Sequence, residues 1–176
     1  MTFSNRVNCG QLRLSDVGRS IQLTGWVDAL RDHGELLFIH LRDRSGIIQV
    51  VFNPGNTPPE VCKLAASLKN ECCLELTGRV VRRAGGTENP NIETGEIEVA
   101  AESLSVLSRS EALPFQISEK AMLAGMTRQE ETVSEDLRLQ YRYLDLRRPS
   151  MQDNLMKRHR IIRCLREYLD EEGFIE

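Results

Sequence analysis

Phe38 stands in the run LLFIHLR (36–42), where Leu37, Ile39 and Leu41 alternate with Phe38, His40 and Arg42. Alternation with a period of two belongs to a half-buried strand, and it turns Phe38 away from the apolar face. Aromatic residues make up only 5% of the chain, so an outward one is informative. An exposed ring offers a stacking surface to an unpaired nucleic-acid base, worth about 1–3 kcal/mol per base. Packing under a loop competes evenly with that role. Gln49, in IIQVVF (47–52), shares the outward phase of the next strand with Ile47 and Val51. Its amide donates and accepts at once, so it can read a base edge. Only its nearness to Phe38 lifts it above an ordinary solvated side chain. Glu96 and Glu98 alternate with Ile97 and Val99 in a later run. Carboxylates accept from the N–H donors of a guanine and sit poorly beside phosphates, so they imply base reading over backbone binding. Their bland alternative is solubilising charge on a sheet edge. Arg31, Arg42, Arg44, Arg79, Arg82 and Arg83 fall in or beside turns of the same region. Guanidinium groups there contact phosphates or stack on bases, although most of the six, taken singly, read as solvated charges.

Catalytic and metal chemistry find no such pattern. His33 is a single turn histidine with no second ligand spaced to join it. There is no phosphate-binding glycine loop, nucleophile elbow or H-E-x-x-H, and Gly85-Gly86 read as loop glycines. The five cysteines are odd in number, two are adjacent and none forms CxxC. That argues against a disulfide framework or a zinc site and for a reducing compartment. The net charge of −3 supplies no general attraction for nucleic acid, so phosphate binding must be local. No signal peptide is evident, and no apolar run approaches the roughly 20 residues a membrane helix needs. A cytoplasmic protein without a membrane partner is expected.

Five strands must position these residues. Ile21, Leu23 and Val27 alternate with polar residues, and Gly25 falls in the inward phase, where a bend or bulge is expected. RDHGE (31–35) and Arg44-Ser45-Gly46 form turns on either side of the Phe38 strand. NPGNTPP (53–59) breaks the sheet. Pro59 suits the first turn of a helix with Thr57 as a candidate cap, and Val61, Leu64, Ala65 and Leu68 give one helical face. Leu74, Leu76 and Val80 make a fourth strand; Ile97, Val99 and Ala101 make a fifth. Upstream, Leu12, Leu14 and Val17 are apolar anchors of a lead-in segment. Three strands, a helix and two strands is the order of an all-β OB-fold, a five-stranded Greek-key barrel with one helix between strands 3 and 4. The predicted organisation is a barrel domain over 1–107, a linker and hinge over 108–150 with a short helix near 119–126, and the start of an α+β domain over 151–176. In that last part Leu155, Ile161, Ile162, Leu165 and Leu169 stripe a helix that Gly173 stops.

GWVDALRDHGELLFIHLRDRSGIIQVVF, TGEIEV (94–99) and LRLQYRYLDLRRP (137–149) occur in order over nearly the whole chain. Together they resemble the N-terminal part of a bacterial-type aspartyl-tRNA synthetase of class II, whose hinge signature is similar to YRYLDLRR. The resemblance implies an anticodon-binding barrel. Phe38 would stack on the middle base, Gln49 would read that uridine, Glu98 would recognise the first base, and Arg31 and Arg83 would support the loop. It further implies a homodimeric parent enzyme that activates aspartate with ATP and Mg²⁺ and transfers it to tRNA(Asp), with no role for DNA. The family's catalytic residues fall beyond GFIE (173–176), so the chain by itself is expected to be inactive and to bind no cofactor. His33 with the small Gly86 is similar to the non-discriminating members, which also charge tRNA(Asn). A free-standing OB module for single-stranded nucleic acid is the alternative, and the helical tail after the hinge speaks against it.

Overall fold

The computed structural model describes residues 6–117 and 133–175. They fall into two compact units, Met1–Ala112 and Leu113–Glu176. The helix expected near 119–126 lies outside the described residues.

The first unit is a closed five-stranded barrel. Its strands are β1 (Ser20–His33), β2 (Leu36–Asp43), β3 (Gly46–Phe52), β4 (Cys73–Arg82) and β5 (Ile97–Ser108), with α1 (Pro59–Ala66) between β3 and β4. Around the barrel the order is β1-β2-β3-β5-β4. The β3–β5 pair is parallel and the others are antiparallel. This is the Greek-key order expected. The inward residues Leu23, Ile39, Leu41, Ile48, Val50, Leu74, Val80 and Val99 are all wholly buried, so the alternation in the sequence marks the core correctly. Two short 3-10 turns precede β1. Of the three anchors expected there, Leu12 is buried, whereas Leu14 and Val17 are exposed; Cys9 takes the second place in the core.

Gly25 and the bulge are separate features. A Cβ on Gly25 would lie 2.5 Å from the Arg42 carbonyl oxygen, so glycine here permits close approach of β1 and β2. The bulge comes later, between Val27 and Ala29. It leaves two consecutive residues buried, and the second is Asp28. Arg42 meets it: Nη1 donates to Asp28 Oδ1 at 2.6 Å, and Nη2 donates to both Glu71 oxygens at 2.7 and 2.8 Å. Glu71 adopts the left-handed region at φ 64° just before β4, and its N–H donates to the Val27 carbonyl. Arg42, its side chain partly buried, is therefore a structural cation and does not line the nucleic-acid groove where the sequence placed it.

Thr57 is likewise reassigned. The residue before α1 is Pro58, and no side chain caps the helix. Thr57 is buried, and its hydroxyl donates to the Ala101 carbonyl at 2.9 Å, fastening the β3–α1 connection to β5.

In the second unit Phe115, Ile117 and Leu144 form a small core. Part of the stretch read as linker thus packs against the hinge. Here α2 (Glu135–Gln140) and α3 (Arg142–Asp145) lead into α4 (Pro149–Glu171). Ser134 caps α2 by accepting from the Leu137 N–H. Gly173, at φ 83°, ends α4 with Phe174 N–H donating to the Leu169 carbonyl, as the glycine predicted. Asp145 is fully buried and receives Arg138, Arg142 and Arg148. Burial by itself would raise its pKa. The Arg138 hydrogen bond and the three cations outweigh that and hold the carboxyl below its usual range.

Two outcomes are expected. Arg42→Leu removes the cation that two buried carboxylates share and destabilises the barrel by about 3–5 kcal/mol in urea unfolding; a loss below about 1 kcal/mol would show that the trio does not hold β1 to β2. Because the native pKa of Asp145 is lowered, its contribution is present above the ordinary carboxyl value of 3.8 and is lost as pH falls through the native value. The protection factor of the Leu144 amide against exchange should therefore fall in acid, and Asp145→Asn should remove that dependence.

Candidate nucleic-acid interface

The closed register sorts the outward side chains into rows. Arg31, Phe38, Val51 and Ala100 are successive partners across β1, β2, β3 and β5. In the adjacent row Ala29 partners His40, and His40 partners Gln49. Val50 partners Val99, so Gln49 stands beside Glu98, and its Nε2 donates to Glu98 Oε2 at 2.7 Å.

These rows floor a groove of about 730 Å³. Of the residues singled out in the sequence, Arg31, His33, Phe38, Gln49, Arg83 and Glu98 all line it. His33 closes β1 with its ring edge-on to Phe38, centroids 5.7 Å apart and planes at 75°. That contact limits the rotation of Phe38 and leaves its other surroundings to the groove. Gly86 is in the β4–β5 loop but does not line the groove. It sits at φ 85°, a region that favours glycine, and its N–H donates to the Glu88 carboxylate at 2.8 Å. Glu88 itself does line the groove. Arg44, Arg79, Arg82 and Glu96 lie outside it. Glu96 comes just before β5, so it stands clear of the row that holds Glu98.

Arg83 differs most from an open phosphate ligand. It is 5% exposed. Its Nε donates to the Ile97 carbonyl at 3.1 Å and its Nη1 to the Thr87 carbonyl at 3.4 Å. Nη2 is buried without a partner. Burial lowers the pKa of this guanidinium; Glu98 opposes the shift, and Arg31 adds to it. The residue joins the loop to β5 and keeps one donor in reserve at the groove wall.

Sequence reasoning gave His40 no role, although it shares the phase of Phe38. The structure places it in the groove beside Gln49. Burial, then Arg31, lowers its pKa; Asp28 and Gln49 oppose this, and Arg83 adds to the lowering. The ring is thus neutral near pH 7. Thr87, Glu88 and Asn89 were also missed, because a loop rich in Gly, Asn and Pro carries no periodicity to say which side chains turn inward. The groove combines two arginines with two glutamates, an amide, an imidazole and one aromatic ring. That mixture suits base edges and a stacked ring better than a run of phosphates. No group of three or more potential metal ligands occurs among the described residues. No helix among them is long and apolar enough to cross a membrane.

Comparison with known proteins agrees with this fold. Residues 21–107 match the OB-fold nucleic acid binding domain, and residues 134–176 match the tRNA synthetases of class II (D, K and N). The chain is 59% identical over its full length to aspartate–tRNA(Asp/Asn) ligase 1 of Syntrophus aciditrophicus, of which it covers 24%. It is 44% identical over 99% of its length to aspartate–tRNA(Asp/Asn) ligase of Bacillus subtilis, covering 28%. The chain thus spans about a quarter of the length of these relatives. Among solved structures, the aspartyl-tRNA synthetase of Entamoeba histolytica superposes with a TM-score of 0.83 over 97% of this chain and 38% of its own. At 20% identity that likeness is one of fold. A closed OB barrel followed by the opening helices of a class II synthetase region, with close relatives of one kind along the whole chain, places this chain in the aspartyl-tRNA synthetase family.

Proposed function

We propose that this chain is the anticodon-reading part of an aspartate–tRNA ligase. One observation supports the reading above the rest: Phe38, Gln49 and Glu98, picked out by strand phase, stand together in one groove with Arg31 and Arg83 at its walls. Phe38 stacks on the middle base, which has been splayed from the loop. Gln49 reads that base as uridine, and Glu98 accepts from the donors of the first base, a guanine. Arg31 and Arg83 support the loop around them.

The full-length parent activates L-aspartate with ATP and Mg²⁺ and transfers it to tRNA. No residue of this chain is assigned to either cofactor. The parent is a homodimer of the cytoplasm, with tRNA and not DNA as its nucleic-acid partner. Both tRNA(Asp) and tRNA(Asn) are substrates. Their anticodons differ at the third base, and His33, on the lip of the groove beside Phe38, is placed to tolerate either one. The small Gly86, which leaves open space over its loop, adds to the same tolerance. The two relatives above, both named aspartate–tRNA(Asp/Asn) ligases, favour this relaxed form.

Binding of the chain to anticodon stem-loops at one fixed salt concentration tests the reading. GUC and GUU loops are expected to bind equally, and a GAC loop is expected to lose most of that affinity. Phe38→Ala should weaken GUC binding by about 1–3 kcal/mol. Equal binding of all three loops, or an unchanged Phe38→Ala, would reject anticodon reading. Charging assays with the full-length parent test the wider substrate range: both tRNAs are expected to be charged, and failure with tRNA(Asn) would restrict the enzyme to aspartate.

A further inference from the structure

A groove that reads base edges leaves the sugar–phosphate backbone of the same strand outside it. The register shows where that backbone can run. The outward row Phe38, Val51, Ala100 continues one strand further, to Arg79 on β4. Arg79 partners Ala100 of β5 on one side and Ser20 of β1 on the other. Phe38 and Arg79 are thus three strand spacings apart, about 14 Å along the barrel surface. Val81 and Ala100 line the groove, so Arg79 stands on its rim.

Three hydroxyl residues surround Arg79. Ser20 is its direct partner, and Thr77, in the same outward phase of β4, partners Ser103. The Thr77 and Ser103 hydroxyl oxygens are 2.6 Å apart, so one O–H is spent between them and the other is left to donate outward. Arg79 is exposed, and no ion pair among the described residues takes up its guanidinium. Neighbouring charges are engaged elsewhere: Arg19 pairs with Asp16 at 3.1 Å, and Glu98 accepts from Gln49. Glu102, exposed at the β5 irregularity opposite Thr77 and Gly78, does not pair with Arg79. An exposed guanidinium among hydroxyls, with no carboxylate upon it, has the donors that hold a phosphate.

We propose that Arg79, with Ser20, Thr77 and Ser103, is a phosphate-binding site for the RNA backbone on the 5′ side of the anticodon. This rests on the anticodon reading given above, from which the polarity follows. The middle base lies on Phe38 of β2 and the first base at Glu98 of β5, so the RNA runs in its 5′ direction from β2 to β5. The next strand around the barrel is β4, which carries Arg79. The contact adds affinity and fixes the position of the loop without reading its sequence.

Binding of the whole chain to anticodon stem-loops over a range of salt concentrations tests the site. Arg79→Gln should weaken GUC and GUU loops alike, about two- to fivefold. It should lower the slope of log Kd against log salt by about 0.7, the value for one phosphate of a single strand. The preference for GUC over GAC and the melting temperature should stay at their wild-type values. Arg79→Lys, which keeps the charge, should keep the slope. Single uncharged methylphosphonate linkages locate the contact. One linkage 5′ of the anticodon should cost the wild type what Arg79→Gln costs, and should cost Arg79→Gln nothing; linkages 3′ of the anticodon should affect both proteins equally. The proposal is overturned if Arg79→Gln keeps the wild-type affinity and slope, if it changes the GUC-to-GAC ratio, or if no 5′ linkage loses its effect in that variant. A wild type that binds GUC and GAC equally would instead reject the anticodon reading itself, and the 5′ assignment with it.

Discussion

The β1 bulge decides which residues face the groove. Before it the odd-numbered residues Ile21, Leu23 and Val27 point inward. After it the phase reverses, and Arg31 falls opposite Phe38 on the outer face. In a regular strand Arg31 and His33 would keep the inward phase of Val27 and drive into the core, because a one-residue slip flips every later side chain. The inserted residue, Asp28, is buried, and a buried carboxylate is tolerated only with a partner. Arg42 supplies the partner and ties in Glu71 as well. This ion cluster therefore links the bulge, the centre of β2 and the entry to β4. Its energetic value is in the cost of breaking it, since a buried ion pair adds little over a well-packed apolar trio.

On the groove side, opposite charges are set close together and partly neutralise one another. Arg83 lies near Glu98, Glu88 and Arg31, all three of which act on its ionisation, and all four line the groove. A surface of that kind gains little from phosphates at a distance, in keeping with the chain's overall negative charge. It gains from directed hydrogen bonds to a base already stacked on Phe38. The edge-to-face contact of His33 with Phe38 and the Gln49–Glu98 hydrogen bond order the side chains before any ligand arrives, which lowers the entropy cost of binding.

The second unit follows a different scheme. Its apolar core is small, and Asp145 gathers three arginines from α2, α3 and the start of α4. The YRYLDLRR string is read in space as this cluster: its aspartate is the buried centre, Arg142 and Arg148 are its partners within the string, and Arg138 joins from upstream. The apolar stripe along α4 is present as the sequence indicated, and Leu155, Ile161 and Leu165 are exposed on it.

Much was legible in the sequence because strand phase is a local property. Alternation alone identified the five strands, the inward set and the outward positions of Phe38, Gln49 and Glu98. Glycine at 173 located the end of α4, since few other residues tolerate φ above zero there. What sequence could not decide depends on contacts between distant segments. Arg42 and Phe38 share a phase on the same strand, yet Arg42 is taken up by an ion cluster because a bulge on β1 and a turn before β4 bring carboxylates to it. Thr57 looked like a cap and instead serves as a tie to a strand 44 residues away. His40 joined the groove only when the register put it opposite Gln49. The sequence by itself determined which face each strand residue takes and what chemistry that face can offer. The closing of the barrel decided which of those residues meet, because register and bulge are settled by pairing between strands and not within one.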